Sequence, residues 1–340
     1  MVCCQRFRRP LLIKTQKVNK ILIESNAQNC YTADMLLNLI LLFVGFVLLT
    51  CGADMFIDGA SAVAKRFHIP EIVIGLTVVA FGTSLSEASV SIASVLHGAN
   101  GVAVGNILGS NIANILLVLG LTATISALTI RKNTIKYEIP FVCFITLLLM
   151  WMGAYYGTIT RVCAAVLLGL FVAFLIYLRA VGMKNAETTT EVKDMAGWKI
   201  LLFLIIGIAF VIYSSNLIVD SSVNIARLLH VSERIIGLTI IAFGTSLPEL
   251  VTCIVAVLKK RSDLAVGNIV GSNIVNILFV LGITGIIQPI QFEPAFLTDS
   301  AIALVAAVML WVFTLPFNRL SRGAGVIFLM SYITYIAYLF

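Results

Sequence analysis

The chain has 340 residues, of which 60% are apolar and only 11% are charged. Soluble domains are about 45–50% apolar and about 25% charged, so composition excludes a soluble globular protein. The formal net charge of +7 comes from basic residues in short loops between apolar runs. They form no stripe with interleaved aromatics, which excludes a nucleic-acid-binding surface. The composition indicates a polytopic membrane protein.

Residues 1–34 are polar and basic, and no small-residue cleavage site follows them. We therefore expect an N-terminal extension or a misassigned start, and not a cleaved signal peptide. From residue 35 onward, apolar runs recur that are long enough to cross a hydrocarbon layer of about 30 Å. Their Gly, Pro and charge punctuation predicts ten spans: residues 36–63, 69–97, 102–126, 139–156, 160–180, 199–227, 233–258, 264–288, 295–315 and 323–340.

A polar linker at residues 184–198 divides the predicted spans into two halves, residues 35–183 and 199–340. Outside the N-terminal tail, alternate loops carry 14 Lys and Arg on the side of this linker and 3 on the other side. Cytoplasmic loops carry an excess of Lys and Arg. The count therefore predicts a cytoplasmic linker.

Two motifs occur twice, each time with an offset of 162 residues. The hexapeptide G-T-S-L-S-E at residues 82–87 returns as G-T-S-L-P-E at residues 244–249. The decapeptide G-N-I-L-G-S-N-I-A-N at residues 105–114 returns as G-N-I-V-G-S-N-I-V-N at residues 267–276. Such self-similarity indicates an internal structural repeat.

The first motif region, residues 75–122, and the second, residues 237–284, are identical at 29 of 48 positions. Each copy is predicted to contain five spans, and an odd number makes the second copy enter the membrane from the opposite face. Inverted repeats of this kind build secondary transporters whose binding site lies near the midplane of the membrane.

Glu87 and Glu249 are the repeated carboxylates, and both lie within apolar spans. A carboxylate there costs about 2.5–3.5 kcal/mol unless something compensates its charge. No Lys or Arg is near either residue in sequence, so a metal cation is the natural partner. Carboxylate, hydroxyl, amide and carbonyl oxygens suit Ca²⁺ or Na⁺.

Small polar residues accompany each glutamate at helical spacing. They are Thr83, Ser84, Ser110 and Asn114 in the first copy and Thr245, Ser246, Ser272 and Asn276 in the second. Such residues also mediate close packing between membrane helices, and that alternative stays open for Ser110 and Ser272.

The two motifs, in order and in duplicate, resemble the α-repeats of the sodium/calcium exchanger family within the calcium/cation antiporter superfamily. The likeness covers residues 35–340, and the short linker is similar to that of prokaryotic members. The resemblance implies an all-α membrane protein of about ten transmembrane helices, arranged as two inverted five-helix repeats. It also implies exchange of Ca²⁺ for Na⁺ by alternating access, in a prokaryotic plasma (inner) membrane.

The resemblance further implies roles for individual residues. Glu87 and Glu249 would bind Ca²⁺ with the main-chain carbonyls of Thr83 and Thr245. The flanking Na⁺ sites would use Ser84, Ser110, Ser246 and Ser272 with the carbonyls of Ala80 and Ala242, and Asn114 and Asn276 would border the middle site. Two departures stand out: Ser86 replaces the Pro that Pro248 supplies, and Asn276 stands where many relatives carry Asp.

Other functions are weighed against antiport of Ca²⁺ and Na⁺. A Ca²⁺/H⁺ antiporter could use the same glutamates, because buried carboxylates can take up protons. A channel would favour rings of charge around a symmetric pore over one inverted pair. The sequence has no hydrolase or phosphate-binding motif, so we expect no enzyme, no nucleotide and no cofactor. Ca²⁺, Na⁺ and the lipid bilayer are the expected partners, and a monomer is the expected state.

Overall fold

The fold is described by a computed structural model for residues 8–96, 100–184, 195–229, 244 and 246–339, with nearly all side chains in those ranges from residue 32 onward. The first half contains α1 (Arg8–Phe67), α2 (Glu71–Thr83), α3 (Leu85–Leu96), α4 (Gly101–Ile125), α5 (Thr134–Tyr156) and α6 (Arg161–Lys184). The second half contains α7 (Gly197–Leu228), α8 (Leu247–Leu258), α9 (Ser262–Ile287), α10 (Ala295–Thr314) and α11 (Arg322–Leu339).

Eight of the helices that the structure describes are long and apolar enough to cross a membrane: α1, α4, α5, α6, α7, α9, α10 and α11. Helices α2 and α3 meet at a bend of 42°, and taken together as one broken helix they have the length and composition of a ninth span. The remaining predicted span, residues 233–258, lies partly outside the described residues, and α8 is its visible portion. The all-α membrane fold is therefore confirmed. Helix α1 continues without a break across residue 35 and therefore shows no boundary there. The division between an N-terminal extension and the first repeat at this residue stays a prediction.

Two short β-ladders connect the halves of the chain. Strand β1 (Leu128–Thr129) pairs antiparallel with β4 (Arg319–Leu320), and β2 (Thr158–Ile159) pairs antiparallel with β3 (Ile290–Gln291). Strands β1 and β2 flank α5 at its two ends, so the ladders lie at opposite ends of the molecule. The repeat offset of 162 residues relates β1 to β3 and β2 to β4, so the internal two-fold symmetry superposes the β1–β4 ladder on the β2–β3 ladder. Because the two ladders lie at opposite ends of the molecule, the second repeat is inverted relative to the first.

Helices α1 and α7 pack antiparallel through repeat-related glycines. A Cβ added to Gly45 would lie 2.7 Å from Ile218 Cγ1, and one added to Gly207 would lie 2.7 Å from the backbone nitrogen of Phe56. Gly45 and Gly207 are equivalent in the repeat, and so are Phe56 and Ile218. The same small-against-large contact therefore occurs twice across this helix pair, which lets the backbones approach closely.

Ion pairs connect basic residues with acidic residues of α1, α2 and α9 at the end of the molecule from which the linker leaves. Arg131, Lys259 and Arg261 are among the 14 basic residues predicted on the linker's side. The structure brings all three to this end, each beside an acidic side chain. The pairs are Lys259 with Asp54 (2.8 Å) and Asp58 (2.6 Å), Arg261 with Glu71 (2.9 Å), and Arg131 with Asp263 (2.6 Å).

The helices that carry the repeated motifs form the centre of the fold. Among the spans with described side chains, α9 and α4 are the most deeply buried, whereas α1 and α11 are the most exposed to lipid. Helix α9 lies directly against α2, because Gly267 and Gly271 leave room for its backbone: a Cβ on Gly271 would lie 2.7 Å from both Ala80 Cβ and Leu76 Cα. Glycine at this contact therefore sets the distance between two central helices.

Replacing Gly271 with alanine tests this contact. We expect Gly271→Ala to destabilise the protein by about 1–3 kcal/mol, the usual cost of overpacking, although alanine favours a helix by about 1 kcal/mol over glycine. Gly169→Ala is the matched control, because an added Cβ at Gly169, an exposed residue of α6, meets nothing within 4 Å. Thermal unfolding of the detergent-purified variants measures both effects. Equal unfolding temperatures for the two variants would contradict the packing role of Gly271.

Candidate ion-binding site

Each repeated hexapeptide places its glutamate at the start of a half-helix. Ser84 (φ −73°, ψ 4°) and Ser246 (φ −91°, ψ 3°) lie just before α3 and α8 with nearly the same non-helical backbone conformation. Glu87 and Glu249 are the third residues of these half-helices. The unsatisfied N–H groups of a helix N-terminus favour a negative charge, so each break supplies partial compensation for one carboxylate.

The two glutamates are completely buried, with 0% of each residue exposed. Glu87 Oε2 accepts a hydrogen bond from Ser86 Oγ at 2.8 Å. Glu87 Oε1 and both carboxylate oxygens of Glu249 have no hydrogen-bond partner. An uncompensated buried carboxylate costs several kcal/mol, so three oxygens are available for a cation.

Further unpartnered oxygens come from residues that the sequence analysis selected. They are Ser84 Oγ, Ser246 Oγ, Asn114 Oδ1 and Asn276 Oδ1, all buried and without a hydrogen bond. Together with the two glutamates, these four residues are called the central cluster below. Carboxylate, hydroxyl and amide oxygens without competing partners form the donor set that Ca²⁺ and Na⁺ prefer.

Contacts within the site cross between the repeats. The two glutamates are close enough for their charges to repel, and Ser110 lies beside Glu87. Glu249 has Thr83, Ser84 and Ser272 around it, so hydroxyls of the first repeat face the carboxylate of the second. Neither repeat alone would supply this environment.

Thr83 takes part in hydrogen bonds through its side-chain hydroxyl, and Ala80 through the same main-chain carbonyl that the resemblance assigns to a Na⁺ site. Thr83 Oγ1 donates to Asn268 Oδ1 at 3.1 Å and lies 3.4 Å from Ser272 Oγ. The Ala80 carbonyl accepts from Ser272 Oγ at 3.4 Å. Residues 230–243 and Thr245 lie outside the described residues, so the roles of Thr245 and Ala242 remain predictions.

Ser86 was singled out only as a missing proline, but it is a hydrogen-bonding residue of the site. Its hydroxyl lies 2.8 Å from Glu87 Oε2 and 2.9 Å from the Thr83 carbonyl, two acceptors for one proton. Pro248 occupies the equivalent position in the second copy and has no such group. The two glutamates therefore differ in their local hydrogen bonding.

Four asparagines join α4 to α9 at the symmetry centre. Asn114 Nδ2 donates to Asn273 Oδ1, and Asn276 Nδ2 donates to Asn111 Oδ1, both at 3.1 Å. Asn111 Nδ2 donates to the Asn273 carbonyl, and Asn273 Nδ2 donates to the Asn111 carbonyl, both at 3.4 Å. These bonds orient the amides so that the Oδ1 atoms of Asn114 and Asn276 stay unpartnered.

Asn111 and Asn273 were not among the predicted site residues, although both lie in the repeated decapeptide. Their signal was available: each lies three residues before a selected asparagine and is repeated at the same offset. Asn114 and Asn276 themselves lie in π-helical turns, Ala113–Leu119 and Val275–Val280. Such turns inside α-helices are frequent at functional sites.

The chain matches a known family of membrane proteins over nearly its whole length. The family model described as "Sodium/calcium exchanger protein" matches residues 37–179 and 199–340. The chain belongs to the sodium/calcium exchanger family. Membership makes it a membrane antiporter and confirms the resemblance stated from the duplicated motifs.

Individual relatives of this exchanger align over nearly their whole length. It is 41% identical to the "Putative antiporter CaxA" of Alkalimonas amylolytica over 314 residues, which covers 88% of this chain and 98% of that protein. It is 36% identical to the "Inner membrane protein YrbG" of Escherichia coli, covering 90% and 98%. A solved structure of the sodium-calcium exchanger NCX_Mj, soaked with Na⁺ and Ca²⁺, matches with a TM-score of 0.77 at 32% identity and covers 88% of this chain and 98% of that one.

Replacing Asn273 with alanine tests the asparagine network. We expect Asn273→Ala to destabilise the exchanger by about 1–3 kcal/mol, because it leaves the buried Asn114 amide without its acceptor. Asn133→Ala, at an exposed residue, is the control and should leave the unfolding temperature nearly unchanged. The double variant with Asn114→Ala should lose less than the sum of the single losses. Strict additivity would show that the two amides do not interact.

Proposed function

We propose that this exchanger moves Ca²⁺ in one direction and Na⁺ in the other through one central site that opens alternately to each side of the membrane. The observation that carries the proposal is the pair of completely buried glutamates with three unpartnered carboxylate oxygens. Such a pair is costly when empty. Cation binding removes that cost. The two carboxylates can neutralise one Ca²⁺ ion or be shared by several neighbouring Na⁺ ions, so the two cations exclude each other and their movements are coupled.

The proposed ligands divide according to charge. Ca²⁺ takes six to eight oxygen ligands, and two carboxylates neutralise its charge. We assign Glu87 and Glu249 to Ca²⁺, with the main-chain carbonyls of Thr83 and Thr245. We assign Ser84, Ser110, Ser246 and Ser272 to flanking Na⁺ sites, with the carbonyls of Ala80 and Ala242, while Asn114 and Asn276 border the middle site.

The comparisons support this choice of ions. The solved relative is named a sodium-calcium exchanger, and it was studied with Na⁺ and Ca²⁺. The YrbG relative is named an inner membrane protein, which supports a prokaryotic inner membrane as the location. We also propose that the linker is cytoplasmic, that an ion gradient drives transport without a nucleotide or cofactor, and that a monomer is sufficient.

A second candidate is Ca²⁺/H⁺ antiport at the same site. Proton coupling is favoured by the charge of the central cluster, which is −2 at most: two carboxylates are its only ionisable groups, and Asn114 and Asn276 contribute neutral amides. Two protons would neutralise the pair as fully as one Ca²⁺ ion does, and a buried carboxyl group without a basic partner readily binds a proton.

Uptake of ⁴⁵Ca²⁺ into liposomes that contain the purified exchanger tests the proposal. We expect uptake with internal Na⁺, and none with internal K⁺ or choline, because only Na⁺ would replace Ca²⁺ at the carboxylates. Glu87→Gln and Glu249→Gln should each reduce uptake to background. Glu293→Gln, at an exposed glutamate, is the matched control and should retain it. Uptake with internal acid instead of Na⁺ would establish proton coupling, and uptake that survives both glutamine variants would refute the site.

The Na⁺ assignment can be tested at Ser84. Loss of one oxygen ligand to an ion corresponds to about a tenfold weaker affinity, so Ser84→Ala should raise about tenfold the internal Na⁺ concentration that gives half-maximal uptake. Ser215→Ala is the control, because Ser215 also has a buried, unpartnered hydroxyl but lies in α7, outside the central cluster. An equal change in both serine variants would contradict a specific Na⁺ role for Ser84.

A further inference from the structure

Asn268 joins the two repeats beside the ion site through its side-chain amide. It lies in α9 and is only 1% exposed. Its Nδ2 donates to Thr252 Oγ1 at 3.0 Å and to Cys253 Sγ at 3.5 Å, and its Oδ1 accepts from Thr83 Oγ1 at 3.1 Å. Both hydrogens of the amide nitrogen are therefore used. The amide connects Thr83 of the first repeat with the half-helix α8 of the second.

The neighbours of Asn268 determine which end of its amide faces Thr83. The hydroxyl of Thr252 donates its single proton to the main-chain carbonyl of Pro248 at 2.7 Å. The thiol of Cys253 donates to a main-chain carbonyl of α9 at 3.4 Å. Both side chains can then only accept from Asn268, so they take the amide nitrogen. The amide oxygen is thereby turned towards Thr83.

The hydroxyl of Thr83 gives its proton to Asn268, because an amide oxygen can only accept. The other oxygens near this hydroxyl, the Ala80 carbonyl and Ser272 Oγ, lie farther away, at 3.4 Å. Thr83 is also one of the hydroxyl residues around Glu249, yet neither carboxylate oxygen of Glu249 has a hydrogen-bond partner. A hydroxyl has one proton, and here Asn268 engages it.

The first repeat lacks this arrangement in its sequence. Val90 stands at the position equivalent to Thr252 and has no acceptor in its side chain. Asn106, the equivalent of Asn268, donates instead to Ser91 Oγ at 3.1 Å and to a main-chain carbonyl of α3 at 3.3 Å. The bonds that run from Thr252 through Asn268 to Thr83, called the hydroxyl relay below, are therefore particular to the second repeat's asparagine.

The hydroxyl relay bears on cation affinity through the free energy of the empty site. A carboxylate that accepts a hydrogen bond from a hydroxyl is stabilised while it is empty, and a cation must then replace that bond. With its proton directed at Asn268, Thr83 has only lone pairs left for other neighbours. The empty Glu249 thus gains nothing from Thr83, whereas a bound cation is attracted by the same lone pairs.

We propose that Asn268 is a positioning residue of the ion site: it holds the Thr83 proton away from Glu249 and so keeps both oxygens of that carboxylate free for a cation. Thr252 supports this role by fixing the orientation of the amide. The inference rests on the proposed function, because it concerns the affinity of the same site for Ca²⁺.

Equilibrium binding of ⁴⁵Ca²⁺ to the detergent-purified, full-length exchanger in Na⁺-free choline buffer measures the effect. Asn268→Leu removes the acceptor, so the Thr83 proton turns to Glu249. We expect about tenfold weaker Ca²⁺ binding, as one hydrogen bond to a charged group implies. Asn38→Leu is the matched control and should bind normally, because Asn38 is buried and bonded to another asparagine but lies in α1, outside the central cluster. Equal affinities of the Asn268→Leu and unmodified proteins would overturn the proposal.

A double-mutant cycle with Thr83→Val separates positioning from support of the fold. This change removes the hydroxyl and keeps the main-chain carbonyl. Without the hydroxyl there is no proton to release, so Asn268→Leu should change the Ca²⁺ affinity of the Thr83→Val protein by less than about twofold. A tenfold loss in both backgrounds would show that Asn268 does not act through Thr83 and would refute the proposal.

Two variants of Thr252 test the other end of the hydroxyl relay. Thr252→Ser keeps the hydroxyl and should retain the Ca²⁺ affinity. Thr252→Val removes the acceptor that holds the amide nitrogen, so the amide of Asn268 can turn its oxygen away from Thr83, and Ca²⁺ binding should weaken. Equal affinities of the two variants would overturn the relay. This comparison also decides the matter if Asn268→Leu does not fold.

Failure of this inference and failure of the proposed function give different results. Where the unmodified exchanger binds ⁴⁵Ca²⁺ and Glu249→Gln abolishes binding, the ion site stands, and the variants above decide the role of Asn268. Where the unmodified exchanger binds no ⁴⁵Ca²⁺, the proposed function is refuted, and the role of Asn268 is refuted with it.

Discussion

Two carboxylates that share a dry, apolar interior without a basic partner constrain the rest of this exchanger. Glu87 and Glu249 repel each other and have lost their hydration, so the fold places each in the first turn of a half-helix, where backbone N–H groups are unsatisfied. That requirement explains why the chain breaks α2 from α3 and begins α8 at Leu247. The helix N-termini compensate the two negative charges only in part, and a bound cation would compensate the rest. The helix breaks and ion binding therefore serve the same pair of carboxylates.

The inverted repeat supplies the ligands that compensate these two carboxylates. One half-site supplies a single carboxylate and a few neutral oxygens, whereas two half-sites facing each other supply enough ligands for a hard cation. The asparagine bonds between α4 and α9 hold the halves in register, and the glycines of α9 allow the close approach to α2 that brings Thr83 beside Ser272. The β-ladders at opposite ends tie the same two halves together outside the site.

Sequence reasoning predicted the features that depend on composition and periodicity: the all-helical membrane fold, the repeat and its inversion, the two glutamates and the oxygen-bearing residues near them. It missed features that depend on three-dimensional partners. Asn111 and Asn273 are significant because each bonds across the symmetry centre, and sequence spacing does not show which helices meet there. The ion pair of Arg131 with Asp263 joins residues 132 positions apart.

The difference between Ser86 and Pro248 has a consequence for the energetics of the cycle. If both copies were identical, the proposed conformations open to either side of the membrane would be related by the internal two-fold axis and equal in free energy. The Ser86 hydroxyl bonds to its glutamate in one copy only, so the two copies stabilise an empty or protonated carboxylate unequally. In the proposed cycle, we therefore expect the resting equilibrium between the two conformations to be biased, and the same ion to meet different apparent affinities on the two faces even without a membrane potential.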